Sequence, residues 1–200
     1  MLETNIEHTR EYFRRLLEII NGVDLGAVDR VFQQLRTARD RSARVFVAGN
    51  GGSASTASHW VNDLGKATKR SGRDPFQVMC LSDNVSWLTA LANDEGFERV
   101  FSGQLENFAR RDDLLIVISA SGNSPNLVHA VELARSIGVK TIGLLGFDGG
   151  ILKGLVDDLV WIRSEKGQYE LVEDAHMMLC HVWTTSLIKD RRLVAMEEKG

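Results

Sequence analysis

Five short runs decide what this chain can fold into: RVFVAG at 44–49, FQVMCL at 76–81, LLIVIS at 114–119, KTIGLLG at 140–146 and DLVWI at 158–162. Each is almost continuously apolar and rich in β-branched residues, where a strand with one wet face would alternate. Strands of this kind need cover on both faces. Helical stretches lie between them, clearest in SPNLVHAVELARSIG at 124–138, where Pro125 sits in the first turn and Gly138 closes the end. Strand alternating with helix builds a parallel sheet with right-handed crossovers. The expected fold is α/β, a three-layer sandwich around a five-stranded parallel sheet.

Two helical patterns lead the chain. Residues 3–21 carry Ile6, Phe13, Leu16, Leu17 and Ile20 on one side, and residues 25–39 repeat the pattern with Val28, Val31, Phe32 and Leu35. The segment LVEDAHMMLCHVWTTSLIKDRRL at 171–193 reads as a long terminal helix with an apolar face. With no repeat, low-complexity tract or linker in 200 residues, a single domain over 1–200 is expected.

Composition narrows the function classes. A net charge of −3, with basic residues scattered in pairs such as Arg14-Arg15, Arg110-Arg111 and Arg191-Arg192, gives no nucleic-acid footprint. No apolar run reaches the roughly 18 residues of a membrane span, so a cytoplasmic protein with no membrane partner is expected. Cys80 and Cys180 stand in apolar company, which suits buried thiols in a reducing compartment. Trp60, Trp87 and Trp161 read as packing residues.

The turns after the strands carry the chemistry, because an open parallel sheet binds ligands at the carboxyl ends of its strands. The first is GNGGS at 49–53, the second SASGNS at 119–124, the third GFDGG at 146–150. Glycine lets backbone N–H groups approach an anion, and a following helix offers unpaired N–H groups at its positive end. Ser119, Ser121 and Ser124 add hydroxyl donors, so a phosphorylated ligand is expected. Neither loop is a P-loop, GNGGSA lacks the sixth glycine of a dinucleotide fingerprint, and no acid closes the strand FQVMCL unless Asp83 serves. Nucleotide cofactors are therefore disfavoured. Beyond the first break, His59 and Asp63 stand i and i+4, hence on one helix face aimed at the ligand from what reads as a first turn.

GNGGSAS after one strand, SASGNS after another and ANDEGF at 92–97 between them resemble the sugar isomerase (SIS) domain family, and within it the phosphoheptose isomerases. The likeness runs over nearly the whole chain, including the leading and terminal helices. It implies a homotetramer with sites at subunit interfaces, interconverting sedoheptulose 7-phosphate and D-glycero-D-manno-heptose 7-phosphate on the way to nucleotide-activated heptose. By position, Ser119, Ala120, Ser121 and Ser124 would hold the phosphate, Asn50, Gly51, Gly52 and Ser53 would line the sugar, and Asn93 and Asp94 would contact its hydroxyls. Zinc would fall to His59, Asp63, Glu173 and His181. Two positions depart from the family: Asp63 stands for its glutamate and Glu173 for its glutamine.

Spacing alone chooses His176 as the second histidine. Glu173 and His176 are three apart on one helix, the separation that lets one helix supply two ligands, whereas Glu173 and His181 are separated by roughly 12 Å of rise. The resemblance selects His181, which requires the chain near Glu173 to bend or a neighbouring subunit to contribute. Aldose–ketose exchange then assigns Asp63 as base, His181 as acid and zinc to the carbonyl, with Glu173 also touching substrate. An isomerase of a different phosphosugar, or a non-catalytic binding module like the replication-initiator-associating relatives, is the alternative.

Overall fold

The computed structural model describes residues 4–190. The start of the first expected helix at residue 3, the last stretch of the expected terminal helix at 191–193 and the Arg191-Arg192 pair lie outside the described residues. Strands β1 (Arg44–Gly49), β2 (Gln77–Cys80), β3 (Leu114–Ser119), β4 (Lys140–Leu145) and β5 (Asp158–Trp161) fall on the five apolar runs. They form one parallel sheet in the order β2-β1-β3-β4-β5.

The side-chain period of two splits this sheet between two cores. Val45 and Val47 of β1 and Leu114, Ile116 and Ile118 of β3 face a layer made by α2 (Leu25–Asp40), α3 (Gly52–Lys66) and α7 (Tyr169–Lys189). Phe46 and Ala48, with Leu115 and Val117, face the opposite layer, from α5 (Ser102–Phe108) and α6 (Pro125–Ser136). Helix α4 (Val85–Asp94) precedes α5 in the crossover from β2 to β3. Trp60 and Trp183 stack at 5.3 Å between α3 and α7 and are almost wholly buried. Both cysteines are buried and free.

Local chemistry sets the element ends. Gly138, at φ 81°, follows α6, and the Val139 N–H donates to the Ala134 carbonyl at 2.8 Å to close it. Helix α1 (Asn5–Asn21) starts in a capping box between Thr4 and Glu7. Its apolar stripe is not core: no residue of α1 is buried, and Ile6, Phe13 and Leu17 are 66%, 59% and 61% exposed. Only Ile19 and Ile20, at its end, pack on the core. Among the described residues no helix is long and apolar enough to cross a membrane.

The chain passes from β1 outward to β2 and returns to place β3 on the other side of β1. The carboxyl ends of β1 and β3 are thus the point where strand order reverses, and a crevice opens there.

Candidate active site

At that crevice, Asn50, Ser53, Ile118, Ser119, Ala120, Ser121, Ser124, Leu127, Tyr169 and Glu173 line a cavity of about 200 Å³. The serine turn is shaped by its own backbone. Ser119 Oγ accepts from the Gly122 N–H at 3.0 Å and Ser121 Oγ from the Asn123 N–H at 3.3 Å, which leaves both hydroxyl protons to donate elsewhere. Ser124 is the N-cap of α6 yet makes no side-chain cap bond, and Pro125 follows at the first helical position. Hydroxyls and a helix N-terminus therefore face the cavity together.

The third glycine turn supports the second and lies outside the cavity lining. A Cβ on Gly122, at φ 64°, would meet the Gly149 carbonyl oxygen at 2.0 Å, and one on Gly150 would meet the Ser121 oxygen at 2.4 Å. Asn123 Oδ1 accepts from the Ile151 N–H at 3.0 Å. The glycines of GFDGG are there for backbone contact with the serine turn.

On the other wall, Gly51 at φ 54° turns the chain into α3 with no side-chain cap. A Cβ on Gly52 would stand 2.3 Å from both Glu173 carboxylate oxygens, so the carboxylate lies directly against the start of α3. Burial, then the neighbouring Glu170 and Asp174 carboxylates, raise the Glu173 pKa above the ordinary range. Asn50 and Asn126 exchange two amide bonds of 2.9 Å, tying the first turn to α6.

Helices α3 and α7 run side by side from this wall. Gly52 meets Glu173 near their starts, and His59 meets His181 further along, with Nε2 atoms 3.1 Å apart. Asp63 Oδ2 lies 3.5 Å from His59 Nε2, and its Oδ1 accepts from Asn62 Nδ2 at 3.4 Å. One ligand atom each from His59, Asp63 and His181 fall within 4.8 Å of one another. Two imidazole nitrogens and a carboxylate oxygen are a donor set that suits zinc, and nitrogens each about 2.0–2.1 Å from one tetrahedral ion lie about 3.3 Å apart, close to the spacing of the two Nε2 atoms. The residues fit such an ion.

Helix α3 begins at Gly52, so His59 is its eighth residue and stands two turns in, where the sequence suggested the first turn. Glu173 is outside the cluster, because α7 continues as an unbroken helix between it and His181. His176 is fully buried, and neither ring nitrogen makes a hydrogen bond among the described residues. Burial lowers its pKa to about 4, outweighing the nearby Leu145 carbonyl. Asn93 and Asp94, bonded to each other at 2.7 Å, are exposed at the end of α4 and outside the cavity lining.

Sequence reasoning missed Asn126 and Tyr169. The only signal for either was position, Asn126 beside the helix-opening proline and Tyr169 one turn before Glu173. A larger hollow of about 360 Å³ opens at the amino ends of β3 and β4, bordered by Gln34, Asp113 and Asp158. Three of its four acids are already committed: Asp113 accepts from the Arg44 and Arg110 N–H groups, Asp157 from Thr141, and Asp158 from Arg30 and Gln34. With no glycine turn or helix N-terminus, it lacks the chemistry of the smaller cavity.

The SIS domain model matches residues 10–146, and the chain belongs to that family. Its curated relatives place it among the phosphoheptose isomerases. The Fusobacterium nucleatum phosphoheptose isomerase is 38% identical over 77% of each chain, and that of Nitratiruptor is 42% identical over 70% of this chain and 73% of the other. The phosphoheptose isomerase structure from Francisella tularensis superposes with a TM-score of 0.82 at 26% identity, covering 94% of this chain and all of that one.

Proposed function

We propose that the protein is a phosphoheptose isomerase, interconverting sedoheptulose 7-phosphate and D-glycero-D-manno-heptose 7-phosphate for nucleotide-activated heptose synthesis in the cytoplasm. The observation that carries this reading is the serine-lined cavity, walled by Glu173, beside helices that also bring His59, Asp63 and His181 together. Relatives bearing that name over most of the chain support it.

Ser119, Ser121 and Ser124 donate to the phosphate at the amino end of α6, where the helix charge favours the anion. Asn50, held by Asn126, and Ser53 meet the sugar from the first turn, with Gly51, Gly52 and Ala120 supplying backbone. Glu173 accepts from sugar hydroxyls.

His59, Asp63 and His181 hold zinc. When bound, zinc polarises the sugar carbonyl. Asp63 takes a proton from C1 of the ketose and, once that proton has exchanged with solvent, returns one to C2. One carboxylate oxygen faces His59 and the other Asn62, so one oxygen can hold the ion while the other handles the proton. His181 gives the C2 oxygen a proton from the ring nitrogen that would not hold zinc, and takes up the C1 hydroxyl proton as the aldehyde forms.

Glu173 and His181 lie about 12 Å apart along a continuous α7. Glu173 therefore joins a zinc cluster, and Asn93 and Asp94 reach a sugar, only across a contact between copies. The exposed stripe of Ile6, Phe13 and Leu17 supports a homotetramer, with residues 1–200 as one domain. Asp63→Asn should abolish conversion of sedoheptulose 7-phosphate while leaving phosphate binding intact, and a chelator should do the same to the wild type. Turnover retained in both would refute the assignment.

A further inference from the structure

One aromatic ring lines the cavity, and it belongs to no part of the reading above. Tyr169 opens α7, half exposed, and stands one turn before Glu173, so the two occupy one helix face. Its ring meets Phe147 edge-on, with centroids 5.0 Å apart and planes at 83°. Its hydroxyl makes no hydrogen bond among the described residues.

The support behind Tyr169 is rigid. Phe147 is 5% exposed and holds φ 45°, a conformation that non-glycine residues adopt at a cost. Its N–H donates to Ser164 Oγ at 3.3 Å and its carbonyl accepts from Trp161 Nε1 at 3.0 Å. The Trp161 ring is in turn covered by Lys153 Nζ, 3.4 Å from its centroid, and by the Arg163 guanidinium at 4.5 Å. A chain of contacts from β5 thus fixes the ring that walls the cavity.

We infer that Tyr169 is a specificity-determining residue that orients the phosphosugar. The negative face of an aromatic ring repels a phosphate and accepts the C–H groups of a carbon chain. With serine donors at the other wall, the phosphate goes to the α6 end and the polyhydroxylated chain lies along Tyr169, whose hydroxyl bonds a sugar hydroxyl beside Glu173. Phe147 is its positioning residue. This rests on the reading of the cavity as a phosphosugar site.

Steady-state kinetics with sedoheptulose 7-phosphate, using inorganic phosphate as competitive inhibitor, tests it. Tyr169→Phe should raise KM about fivefold through loss of one neutral hydrogen bond, with kcat changed less than about twofold. Tyr169→Ala should raise KM about twentyfold or more, with the phosphate inhibition constant unchanged in both. KM at the wild-type value in both variants, or a phosphate inhibition constant rising in step with KM, would overturn the role of Tyr169. A wild type that neither converts nor binds sedoheptulose 7-phosphate would overturn the phosphosugar reading beneath it.

Discussion

His176 offers a sharp test of how α7 is built. Its imidazole is fully buried, neither nitrogen makes a hydrogen bond among the described residues, and burial pushes its pKa down to about 4 from 6.5 against the opposing pull of the nearby Leu145 carbonyl. The folded state therefore binds the proton more weakly than the unfolded one, and stability falls as pH drops through the interval between the two values. Between about pH 7.5 and pH 5 this linkage amounts to about 2 kcal/mol. For a chain of this size that is about 4–8 °C in melting temperature. Replacing His176 with leucine removes two orphaned polar atoms at similar volume, so the variant should be at least as stable near neutrality. Thermal melts of both proteins across that range should show the wild type losing about 4–8 °C more than the variant. Parallel melting curves would refute the assignment of a neutral, unpartnered histidine in the core.

Gly52→Ala places a Cβ 2.3 Å from the Glu173 oxygens, and a flexible carboxylate can swing aside. Stability should change by less than about 1 kcal/mol, whereas kcat/KM should fall about 10- to 100-fold through loss of a charge-assisted contact. Gly122→Ala, at φ 64° and 2.0 Å from a backbone oxygen, should instead destabilise the fold by about 3 kcal/mol or more, read by denaturant unfolding. Phe13→Ser combined with Leu17→Ser should lower the assembly state seen by light scattering and lower activity with it, without unfolding the protomer, since both side chains are more than half exposed.

The central strands were legible because burial on both faces leaves an unmistakable mark: LLIVIS is buried at every position of β3, whereas the edge strands β2 and β5 are only partly covered. The serine and glycine turns were legible because backbone demands restrict residue type, although sequence gave no way to tell that GFDGG serves as scaffold. His59 and Asp63 declared themselves through helical spacing. The third member did not, since three-residue spacing to Glu173 favoured His176, and only the rotation of α7 decides that His176 turns into the core while His181 meets His59. Tyr169 meets Phe147, and Asn126 meets Asn50, through tertiary contacts between distant segments, which leave no local signature. The α1 stripe shows the converse, an apolar period faithfully read that the described residues leave largely exposed.

The enediolate route that the cavity and the histidine-aspartate cluster would serve together is tested most directly by running the isomerisation in heavy water. Incubation of sedoheptulose 7-phosphate with the zinc-loaded protein, followed by proton NMR, should give heptose 7-phosphate carrying deuterium at C2. Product with an unlabelled C2, or no aldose at all, would contradict proton transfer by a residue open to exchange.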